Sequence, residues 1–598
     1  MSHLGAPPTP TGNALLGVER SLTGRRWQAA PSDERLALTL SQRLALPEII
    51  GRVLAARGIG LDDAESFLNP SLKSLLPDPS HLKDMDKAAA RLVQAVTGGE
   101  TIGIFGDYDV DGATSSALLR IFFEAAGARV RVHIPDRILE GYGPNAPALL
   151  NLQAEGVSVV VTVDCGTTAY APLAAAAEAG LDVIVVDHHE AEPELPRCFA
   201  LVNPNRMDED SPHGHLAAVG VAFLLAVAVN RGLKQAGWYG NRKAPDLLQW
   251  LDIVALGTVC DVVPLKGVNR ALVTQGLKIM AKRGNVGLTA LSDVAGVKER
   301  PDAYHLGYLL GPRVNAGGRV GEADLGTRLL ATNDPIEASE IAKLLDSYNK
   351  DRQTIEAGVL QEAMDQVEGR PDDGLPLVVA SGENWHPGVI GIVAGRLKER
   401  YNRPACVIAF EDGVGKGSGR SVPGLDLGAA IIAARQAGIL KAGGGHAMAA
   451  GFTVLQDRLI DLQTFLAERL QAQLSGELVP LLELDGALDC AGCSVDLVET
   501  LKQLGPFGAG NPEPRFAIIA ARIIKADVVG NGHVRLILTG AGGQRLKAIA
   551  FRAADTDMGQ ALLTARGGAF HFCGTLRVDT WQGSSSVQLT IDDAAPAR

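Results

Sequence analysis

Three short β-branched segments of this chain end in acidic or histidine side chains. Asp107, Asp109 and Asp111 alternate in DYDVDG, Asp164 ends VVVTVDCG, and the tripeptide DHH ends VIVVDHHE. Asp261 follows further along the chain, in GTVCDVVPL. In open parallel sheets, ligands bind beyond the carboxyl ends of the strands. We therefore expect carboxylates and imidazoles from three strands to meet in one crevice.

Carboxylates at such short range have a definite chemistry. They repel one another and raise one another's pKa unless cations lie between them. Mixed Asp and His ligands suit Mn²⁺, and carboxylates with water suit Mg²⁺. Two such ions about 3.5–4 Å apart are used to hydrolyse phosphoesters. A single Asp at a strand end is more often a helix cap, but the whole set, with His188 and His189 directly after Asp187, predicts a metal-dependent phosphoesterase.

The elements that would position these residues alternate along the chain. From Thr101, short β-branched strands are separated by Ala/Leu-rich helical stretches, which predicts βαβ units and a parallel sheet buried on both faces. A long helix within Ile336–Val367 precedes a second α/β block, and the short β-rich runs beyond Val479 fit an OB-fold barrel. The predicted fold class is α/β, with two α/β lobes joined by the long helix and a C-terminal all-β barrel.

Changes in residue composition along the chain also predict domain boundaries. The first residues are rich in Pro, Gly and Thr, and we expect a flexible N-terminal tail. The expected segments are the tail (1–45), a catalytic α/β domain with an N-terminal helical segment (46–300), a connector with the long helix (301–372), a second α/β domain (373–478) and the barrel (479–598).

Composition excludes several classes of protein. The chain has 598 residues, of which 46% are hydrophobic and 21% charged, so disorder, fibres and disulfide scaffolds are excluded. No apolar run approaches the roughly 20 residues that span a bilayer, and the N-terminus does not resemble a secretory signal. Seven cysteines are few for this length, which predicts a reducing, cytoplasmic compartment. Cys490 and Cys493 form a lone CxxC pair, and we interpret them as small, partly buried residues.

Charge is unevenly distributed. The formal net charge of −12 argues against polyanion binding by the whole surface. Between Arg515 and Arg577, however, nine Lys and Arg face three Asp, a local balance of 9 − 3 = +6. An acidic chain with one basic barrel can still hold a single nucleic acid strand there.

The order of the motifs resembles a known family. DYDVDG, VDCG, DHHE and TVCDVVPL are similar to successive motifs of the DHH phosphoesterase superfamily. LGPRVNAGGR, GSGRSVPG, GGGHAMAAGF and GPFGAGNPEP follow in the order of the RecJ family, bacterial single-strand-specific 5′→3′ exonucleases. The resemblance runs from about Leu46 to the C-terminus. It implies a DHH lobe, a DHHA1-like lobe and an OB-fold that binds nucleic acid.

The resemblance also implies the site residues. Two divalent ions, Mn²⁺ or Mg²⁺, would be held by Asp109, Asp111, Asp164, His188 and Asp261, with Asp164 bridging both. Asp187 would orient the histidines, whereas Asp107 is given no role as a ligand. The expected catalytic residues are Asp109, Asp111, Asp164, Asp187, His188, His189, Asp261 and His446.

Arginines in Gly-rich loops are candidates for contacts to phosphate. Gly lets the backbone approach a phosphate and exposes N–H donors, and Arg forks match phosphate oxygens. By resemblance, a pocket for the 5′-phosphate is assigned to Arg137, Arg313, Ser418 and Arg420. The full phosphate- and DNA-binding set is Arg137, Arg313, Asn315, Arg319, Ser418, Arg420, Gly444 and Gly445, with Arg535 and Lys547 as DNA contacts on the barrel.

Together with these features, the resemblance implies a 5′→3′ exonuclease on single-stranded DNA that releases 5′-mononucleotides by two-metal hydrolysis, in DNA repair and recombination. The alternatives are a DHH phosphodiesterase on short oligoribonucleotides or cyclic dinucleotides, and a non-catalytic DNA-binding scaffold. The additional barrel of 120 residues counts against the first, and the complete ligand set counts against the second. Single-stranded DNA is the expected partner; a single-strand-binding protein and a RecQ-type helicase are implied by the family only. We expect a cytoplasmic monomer without membrane association.

Overall fold

The computed structural model describes residues 13–137, 139–369, 374–474, 479–565, 567–581 and 584–597. The chain divides into two compact units. The parallel-sheet unit consists of Leu61–Lys350 and Lys502–Glu513. The barrel unit consists of Met1–Gly60, Asp351–Leu501 and Pro514–Arg598.

The strands form three sheets and one two-stranded pair. Their bounds are β1 (Arg26–Ala29), β2 (Thr101–Gly106), β3 (Arg129–His133), β4 (Val157–Val163), β5 (Asp182–Val186), β6 (Ala200–Val202), β7 (Val378–Glu383), β8 (Ala405–Glu411), β9 (Val414–Arg420), β10 (Leu440–His446), β11 (Ala449–Leu455), β12 (Leu481–Leu484), β13 (Gly486–Leu488), β14 (Phe516–Val529), β15 (His533–Thr539), β16 (Arg545–Ala550), β17 (Ala569–Trp581) and β18 (Ser584–Pro596).

The helices connect and cover these sheets. Their bounds are α1 (Glu34–Leu44), α2 (Glu48–Ala56), α3 (Ala64–Leu68), α4 (Leu72–Leu75), α5 (Met85–Gly98), α6 (Val110–Ala125), α7 (Ala146–Ala154), α8 (Tyr170–Glu178), α9 (Ala218–Gln235), α10 (Leu251–Cys260), α11 (Gly267–Met280), α12 (Val286–Val294), α13 (Gly311–Val320), α14 (Leu325–Ala331), α15 (Pro335–Glu368), α16 (Ile390–Tyr401), α17 (Leu427–Gln436), α18 (Leu459–Gln471), α19 (Val495–Lys502) and α20 (Asp557–Thr564). A π-helical turn, His305–Leu310, leads directly into α13.

The parallel-sheet unit is built on five parallel strands in the order β3-β2-β4-β5-β6. Its strands are rich in Val and Ile, and alternate residues enter two different cores. Ile104 and Val161 pack on one face with α5, α6, α9 and α10, while Phe105 and Val160 pack on the other with α7 and α8. A sheet covered on both faces needs such continuous apolar strands, so the predicted βαβ arrangement is confirmed.

Helix α9 is the most apolar of the long helices. Within the described parts of the chain it is the one helix long and apolar enough to cross a membrane. However, 72% of it is buried inside the protein, as is usual for a core helix of a globular domain.

The barrel unit contains the second α/β lobe and the barrel. In the lobe, β7–β11 form a mixed sheet in the order β10-β11-β9-β8-β7. One face packs on α17 and α18, and the other on α16 and the end of α15. Helix α15 has 34 residues, about 50 Å at 1.5 Å per residue, and belongs to both units because the boundary lies after Lys350. The long helix predicted within Ile336–Val367 is therefore confirmed.

Five strands close the C-terminal barrel. Their order is β14-β15-β16-β18-β17, and β17 pairs back with β14. Helix α20 lies between β16 and β17 along the chain. A five-stranded closed barrel of this kind is the OB-fold, so the predicted fold class is confirmed.

The prediction of a flexible tail over 1–45 is wrong for the residues that the structure describes; residues 1–12 lie outside them. Strand β1 pairs with β12 in parallel, with Arg26 opposite Leu481. Trp27 is fully buried and its indole N–H donates to Asp593 Oδ2 at 2.9 Å. The N-terminal segment thus completes the barrel unit, because its apolar side chains need partners that lie more than 400 residues away.

The segment Lys502–Glu513 also differs from the predicted domain division. Although it lies within 479–598, its contacts are in the parallel-sheet unit. Arg270 donates to the carbonyl oxygen of Gly505 at 2.6 Å, and the N–H of Leu265 donates to that of Ala509 at 2.8 Å. A Gly- and Pro-rich segment exposes backbone carbonyls, which explains why Arg270 can bind it.

Candidate metal centre and phosphate-binding residues

The sheet brings three aspartates to one edge. Gly106, Val163 and Val186 are paired across β2, β4 and β5. Asp107, Asp164 and Asp187 are the next residues on these three strands. Parallel strands in register place equivalent positions side by side, so the three carboxyl groups start from the same level of the sheet.

Asp109 and Asp111 are held by helix N-termini. Asp109 caps α6, and its Oδ1 accepts from the backbone N–H of Asp111 at 2.8 Å and of Gly112 at 3.1 Å. Asp111 is buried and accepts from the N–H of Ala218 at 2.6 Å and of Val219 at 2.9 Å, at the start of α9. Helix N-termini carry partial positive charge and favour carboxylates, which lets two acidic side chains remain at this crowded position.

A tight loop positions the two histidines. Asp187 accepts from the backbone N–H of His188 at 2.8 Å and of Thr167 at 3.0 Å, and from His189 Nδ1 at 2.7 Å. Buried Asn203 donates to the carbonyl oxygen of His189 at 2.8 Å, and Asn205 donates to that of His188. Sequence analysis missed these asparagines; the only signal was their position in VNPN after β6.

Seven ionisable residues form what we call the acidic cluster: Asp107, Asp109, Asp111, Asp164, His188, His189 and Asp261. Their ligand atoms group in three sets, each within 4.8 Å: Asp107, Asp109 and Asp164; Asp111, His188 and Asp261; Asp164, His188 and His189. His188 Nε2 lies 3.4 Å from Asp164 Oδ1, 3.6 Å from Asp261 Oδ2 and 3.9 Å from Asp111 Oδ2. Asp164 and His188 each belong to two sets, and so lie at the centre of the cluster.

Four atoms of the cluster are buried without a hydrogen-bond partner among the described residues. They are Asp107 Oδ1, Asp164 Oδ1, His188 Nε2 and Asp261 Oδ2. Leaving a buried polar atom unpaired costs about 1–3 kcal/mol, and more for charged groups. Four such atoms aimed at one another indicate a site whose missing partner is a cation.

The protonation equilibria lead to the same conclusion. Burial, then the neighbouring carboxylates, raises the pKa of Asp261 to about 9 and that of Asp164 well above its usual value. Burial and Asp109 raise the pKa of Asp107 to about 8 and that of Asp111 to about 7. Burial, then His189, lowers the pKa of His188 to about 4, so its imidazole is neutral and can be a ligand. Oxygen donors with one or two imidazoles fit Mn²⁺ or Mg²⁺.

Asp187 differs from the other acids of this edge. Burial raises its pKa, but the hydrogen bonds from His189 and Thr167 prevail and hold the pKa below the usual value. Asp187 is therefore an ionised acceptor for the loop and lies outside the three sets.

Asp107 was left without a role by the sequence, and the structure places it inside the cluster. The available signal was its position directly after a buried strand, with Asp109 two residues later.

Arg137, Arg319 and the tyrosines of two loops lie beside the cluster. The Arg137 guanidinium lies over the Tyr108 ring, 5.2 Å from its centroid. Tyr142 OH donates to the carbonyl oxygen of Asp164 at 3.0 Å, and its ring is 6.1 Å from that of His189. Burial, then Asp107, raises the pKa of Tyr108 to about 12, and Arg137 and Arg319 lie close enough to oppose this rise.

The other two predicted residues of α13, Arg313 and Asn315, are hydrogen-bonded or partly buried within the protein. Arg313 donates from Nε to Asp346 Oδ1 at 2.9 Å and from Nη1 to the carbonyl oxygen of Leu309 at 2.7 Å, so two of its three nitrogens are engaged within the protein. Asn315 is partly buried on the same helix. Of the predicted cations in this unit, Arg137 and Arg319 thus lie closest to the acidic cluster.

In the barrel unit, Ser418 and Arg420 lie side by side on β9. Arg420 Nη1 donates to Ser418 Oγ at 3.2 Å. A Cβ at Gly391, in the first turn of α16, would lie 3.0 Å from Ser418 Oγ and 3.1 Å from Arg420 Nη2. A hydroxyl, a guanidinium and a helix N-terminus therefore meet, and all three bind anions.

Gly444, Gly445 and His446 lie on β10, across β11 from this site. Ala449 is paired with both His446 and Arg420, and Gly444 is opposite Gly451, which in turn is opposite Ser418. His446 is exposed. The three strands thus carry all five predicted residues of this lobe on adjacent positions.

The two predicted DNA contacts on the barrel are both in ion pairs. Arg535 is paired with Asp527 on the neighbouring strand, and Lys547 Nζ lies 3.1 Å from Asp579 Oδ2. Exposed pairs of this kind are worth little. Neither residue is a free cation.

Cys490 and Cys493 are buried free thiols. Burial, then Cys490, raises the pKa of Cys493 to about 12, and no candidate metal group among the described residues includes either cysteine. They behave as the small buried residues that the sequence predicted.

Comparisons with known proteins agree with the geometry. Models of the DHH family N-terminal domain, the DHHA1 domain and the RecJ OB domain match residues 101–258, 374–472 and 484–593. The single-stranded-DNA-specific exonuclease RecJ of Bacillus subtilis is 34% identical over 95% of this chain and 71% of its own length. That of Escherichia coli is 36% identical over 92% of this chain and 96% of its own.

Solved structures extend this likeness to the whole fold. The crystal structure of RecJ in complex with Mn²⁺ from Thermus thermophilus matches with a TM-score of 0.79 at 29% identity, over 95% of this chain and 78% of that one. A structure of the exonuclease RecJ bound to manganese matches with a TM-score of 0.56 at 34% identity, over 67% of this chain and 98% of that one. With DHH, DHHA1 and OB domains in this order and more than a third of its residues identical to curated relatives over most of its length, the chain belongs to the RecJ family.

Proposed function

We propose that the protein is a metal-dependent exonuclease specific for single-stranded DNA, and that it hydrolyses phosphodiesters at the acidic cluster. The observation that carries this proposal is the convergence of four buried, unpartnered ligand atoms from Asp107, Asp164, His188 and Asp261. A non-catalytic scaffold gains nothing from this arrangement, because close carboxylates destabilise a fold that lacks bound cations. The curated relatives carry the same activity in their names.

We assign Asp109, Asp111, Asp164, His188 and Asp261 as ligands of two divalent ions, Mn²⁺ or Mg²⁺. Asp164 is the shared ligand in this assignment, since it belongs to both a carboxylate set and a histidine set. Asp107, at the end of β2, is added to these ligands because it belongs to one set with Asp109 and Asp164. Divalent ions held by these residues would supply Lewis-acid chemistry for phosphodiester hydrolysis.

His189 has a separate role in this proposal. Its Nδ1 donates to Asp187, which leaves the other ring nitrogen for a phosphate oxygen. Burial lowers the pKa of His189, but the hydrogen bond to Asp187 outweighs it and raises the pKa. The cationic form is favoured, and its hydrogen bond to a phosphate would be charge-assisted.

Direction is proposed to follow from recognition of the 5′-phosphate. Ser418 and Arg420 beside the start of α16 form an anion site with two kinds of donor. A terminal phosphate carries more negative charge than an internal diester, so such a site favours the end of a strand. Gly444, Gly445 and His446 on β10, and Arg137, Arg313, Asn315 and Arg319 in the parallel-sheet unit, are proposed to contact the phosphates of the same strand. This arrangement supports 5′→3′ digestion that releases 5′-mononucleotides.

The wider assignments are also proposals. Catalytic, connector, DHHA1-type and barrel domains are placed at 46–300, 301–372, 373–478 and 479–598, except that the chain up to Gly60 is grouped with the barrel unit and Lys502–Glu513 with the parallel-sheet unit. We infer a role in DNA repair and recombination, a cytoplasmic location and a monomeric state. A single-strand-binding protein and a RecQ-type helicase are the partners that the family implies.

The test is digestion of single strands labelled at the 5′ or the 3′ end, with Mn²⁺, Mg²⁺ or EDTA. The 5′ label should leave first as a mononucleotide, EDTA should stop the reaction, and a blunt duplex should remain intact. Asp252→Asn is the matched control for cluster variants, because Asp252 is equally buried in the same unit but lies outside the cluster. Release of the 3′ label first would reverse the assigned direction, and no digestion with either ion would contradict the function.

A further inference from the structure

Two exposed tyrosines form a stacked pair in the parallel-sheet unit. Tyr304 and Tyr308 are 53% and 71% exposed. Their ring centroids are 5.0 Å apart and the planes meet at 26°. Residues four apart lie on the same face of a helix, so Tyr308 in the π-helical turn and Tyr304 directly before it present both rings to solvent as one aromatic surface.

This surface adjoins the acidic cluster. The turn packs on the end of α10, which is followed directly by Asp261. Cys260 Sγ donates to the carbonyl oxygen of Leu306 at 3.4 Å, and a Cβ at Gly307 would lie 3.5 Å from the Val259 side chain. The backbone that carries the tyrosines therefore touches the two residues that precede a proposed metal ligand.

A second kind of exposed apolar side chain directly follows Asp261. Val262 is 69% exposed and has a φ of +63°. A β-branched residue in the left-handed region is a true outlier, and strained residues of this kind cluster at functional sites. Exposing an apolar side chain in a strained conformation gives the folded protein nothing by itself, and we take Val262 as a second candidate contact for a ligand at this edge.

The residue next to Tyr304 is also held in place. His305 is buried, with Nδ1 2.6 Å from Asp302 Oδ1 and Nε2 3.3 Å from Glu299 Oε1. Its ring meets that of Tyr304 edge-on, at 6.0 Å. A preorganised aromatic surface loses little conformational entropy when a flat ligand stacks on it.

We propose that Tyr304 and Tyr308 form a stacking platform for unpaired nucleobases of the strand whose backbone lies at the acidic cluster. The proposal rests on the proposed function, since it takes the same strand as its ligand. Every base has an aromatic face, so stacking binds single strands without sequence preference. Bases paired inside a duplex cannot reach the rings, and the platform therefore selects single strands.

The test compares Tyr308→Ala, Tyr304→Ala and the double variant with the parent. Stacking is worth about 1–3 kcal/mol per base, so dissociation constants for a single-stranded oligonucleotide in EDTA should rise about 5- to 150-fold. KM with Mn²⁺ should rise in parallel. Tyr308→Trp keeps an aromatic ring at this position and should bind the oligonucleotide as the parent does. Ile336 is an exposed apolar residue of the same unit, at 70% exposure, and Ile336→Ala should leave the dissociation constant unchanged.

A series of oligonucleotides with one abasic position each identifies the ligand. In the parent, one or two abasic positions should weaken binding, and the same positions should cost nothing further in the double variant. Unchanged binding of the oligonucleotide by the double variant would overturn the platform. A loss of affinity at abasic positions that persists in the double variant would overturn it as well. If the double variant with that persistent loss no longer bound a protein partner, the surface would be assigned to that protein. A parent that binds strands with the abasic pattern but never cuts them would instead contradict the proposed hydrolysis.

Discussion

Replacing Asp164 with asparagine removes one charge from the centre of the acidic cluster and keeps the shape of the side chain. Asp164 has a φ of +61°, in the left-handed region that Asn tolerates better than most residues. Alanine would add backbone strain to the loss of the carboxylate. The asparagine variant therefore isolates the electrostatic effect.

The magnitude follows from the spacing of the carboxylates. Asp164 shares a set within 4.8 Å with Asp107 and Asp109. Two unit charges at that distance repel by about 3 kcal/mol at an effective dielectric constant near 20. Burial and these neighbours raise the pKa of Asp164 above its value in the unfolded chain. The carboxyl group thus begins to destabilise the fold as the pH rises above about 4, and the cost is complete only above the raised folded pKa.

Without metal, Asp164→Asn should raise the free energy of unfolding by about 3 kcal/mol at pH 8 and change it little at pH 4. With Mn²⁺ this difference in stability should almost disappear. An ion at 100 times its dissociation constant stabilises the parent by about 2.7 kcal/mol, and the variant should lose most of this gain. Exonuclease activity should fall at least about 100-fold, the upper end for loss of a residue that only supports a ligand.

Urea unfolding at pH 4 and pH 8, in EDTA and in Mn²⁺, measures both effects, together with digestion of a labelled strand. Asp252→Asn should retain the response to Mn²⁺ and the activity. If EDTA-treated parent and Asp164→Asn were equally stable at pH 8, the carboxylates would not repel one another as the geometry requires. An equal gain from Mn²⁺ in both proteins would remove Asp164 from the ligands.

Three further changes test other parts of the structure. Burial raises the pKa of Asp252 to about 7, so the ionised carboxylate destabilises the fold at high pH. Asp252→Asn should therefore raise the free energy of unfolding by up to about 4 kcal/mol above pH 7 and hardly at all near pH 4. An unchanged urea midpoint at pH 8 would contradict this. Arg420→Ala should reduce the preference for 5′-phosphorylated over 5′-hydroxyl strands about 10- to 150-fold, measured as the ratio of the two kcat/KM values. The control variant Arg535→Ala should leave this ratio unchanged. Equal ratios in the parent and in Arg420→Ala would remove Arg420 from the pocket. A Cβ at Gly318 would lie 2.4 Å from the Tyr108 carbonyl oxygen, so Gly318→Ala should displace the loop between Asp107 and Asp109. Overpacking should lower the free energy of unfolding by about 1–3 kcal/mol, and Mn²⁺ binding should be weaker in a titration; wild-type affinity would show that α13 does not support the loop.

The centre of the site was predictable because a parallel sheet turns sequence position into spatial position. Asp107, Asp164 and Asp187 each follow a buried strand, and such strands are readable from continuous β-branched runs. Which atoms face one another was not readable in this way. Asp111 is fixed by α9, whose N-terminus lies more than 100 residues away, and Asp187 is turned towards His189 and Thr167 by local hydrogen bonds.

Long-range packing accounts for what sequence analysis missed. Trp27 is one aromatic residue in a Pro- and Gly-rich stretch, and its partner Asp593 lies at the other end of the chain. Arg535 and Lys547 were predicted from a local excess of basic residues, but cross-strand acids neutralise them. Tyr304 and Tyr308 carry no distinguishing pattern, since a sequence does not report exposure. For Trp27, Arg535 and Lys547 the deciding contact lies on another strand.

The pairing of β1 with β12 has a consequence for how the chain is made. Arg26 lies opposite Leu481, so 481 − 26 = 455 residues must be synthesised between the two strands. At about 5–20 residues per second this takes roughly 20–90 s. During that interval Trp27 has no core to enter, while Leu61–Lys350 has already left the ribosome. The first strand of the protein is thus among the last to find its place, and a chain that stops before Leu481 leaves its N-terminal segment open to chaperones and proteases.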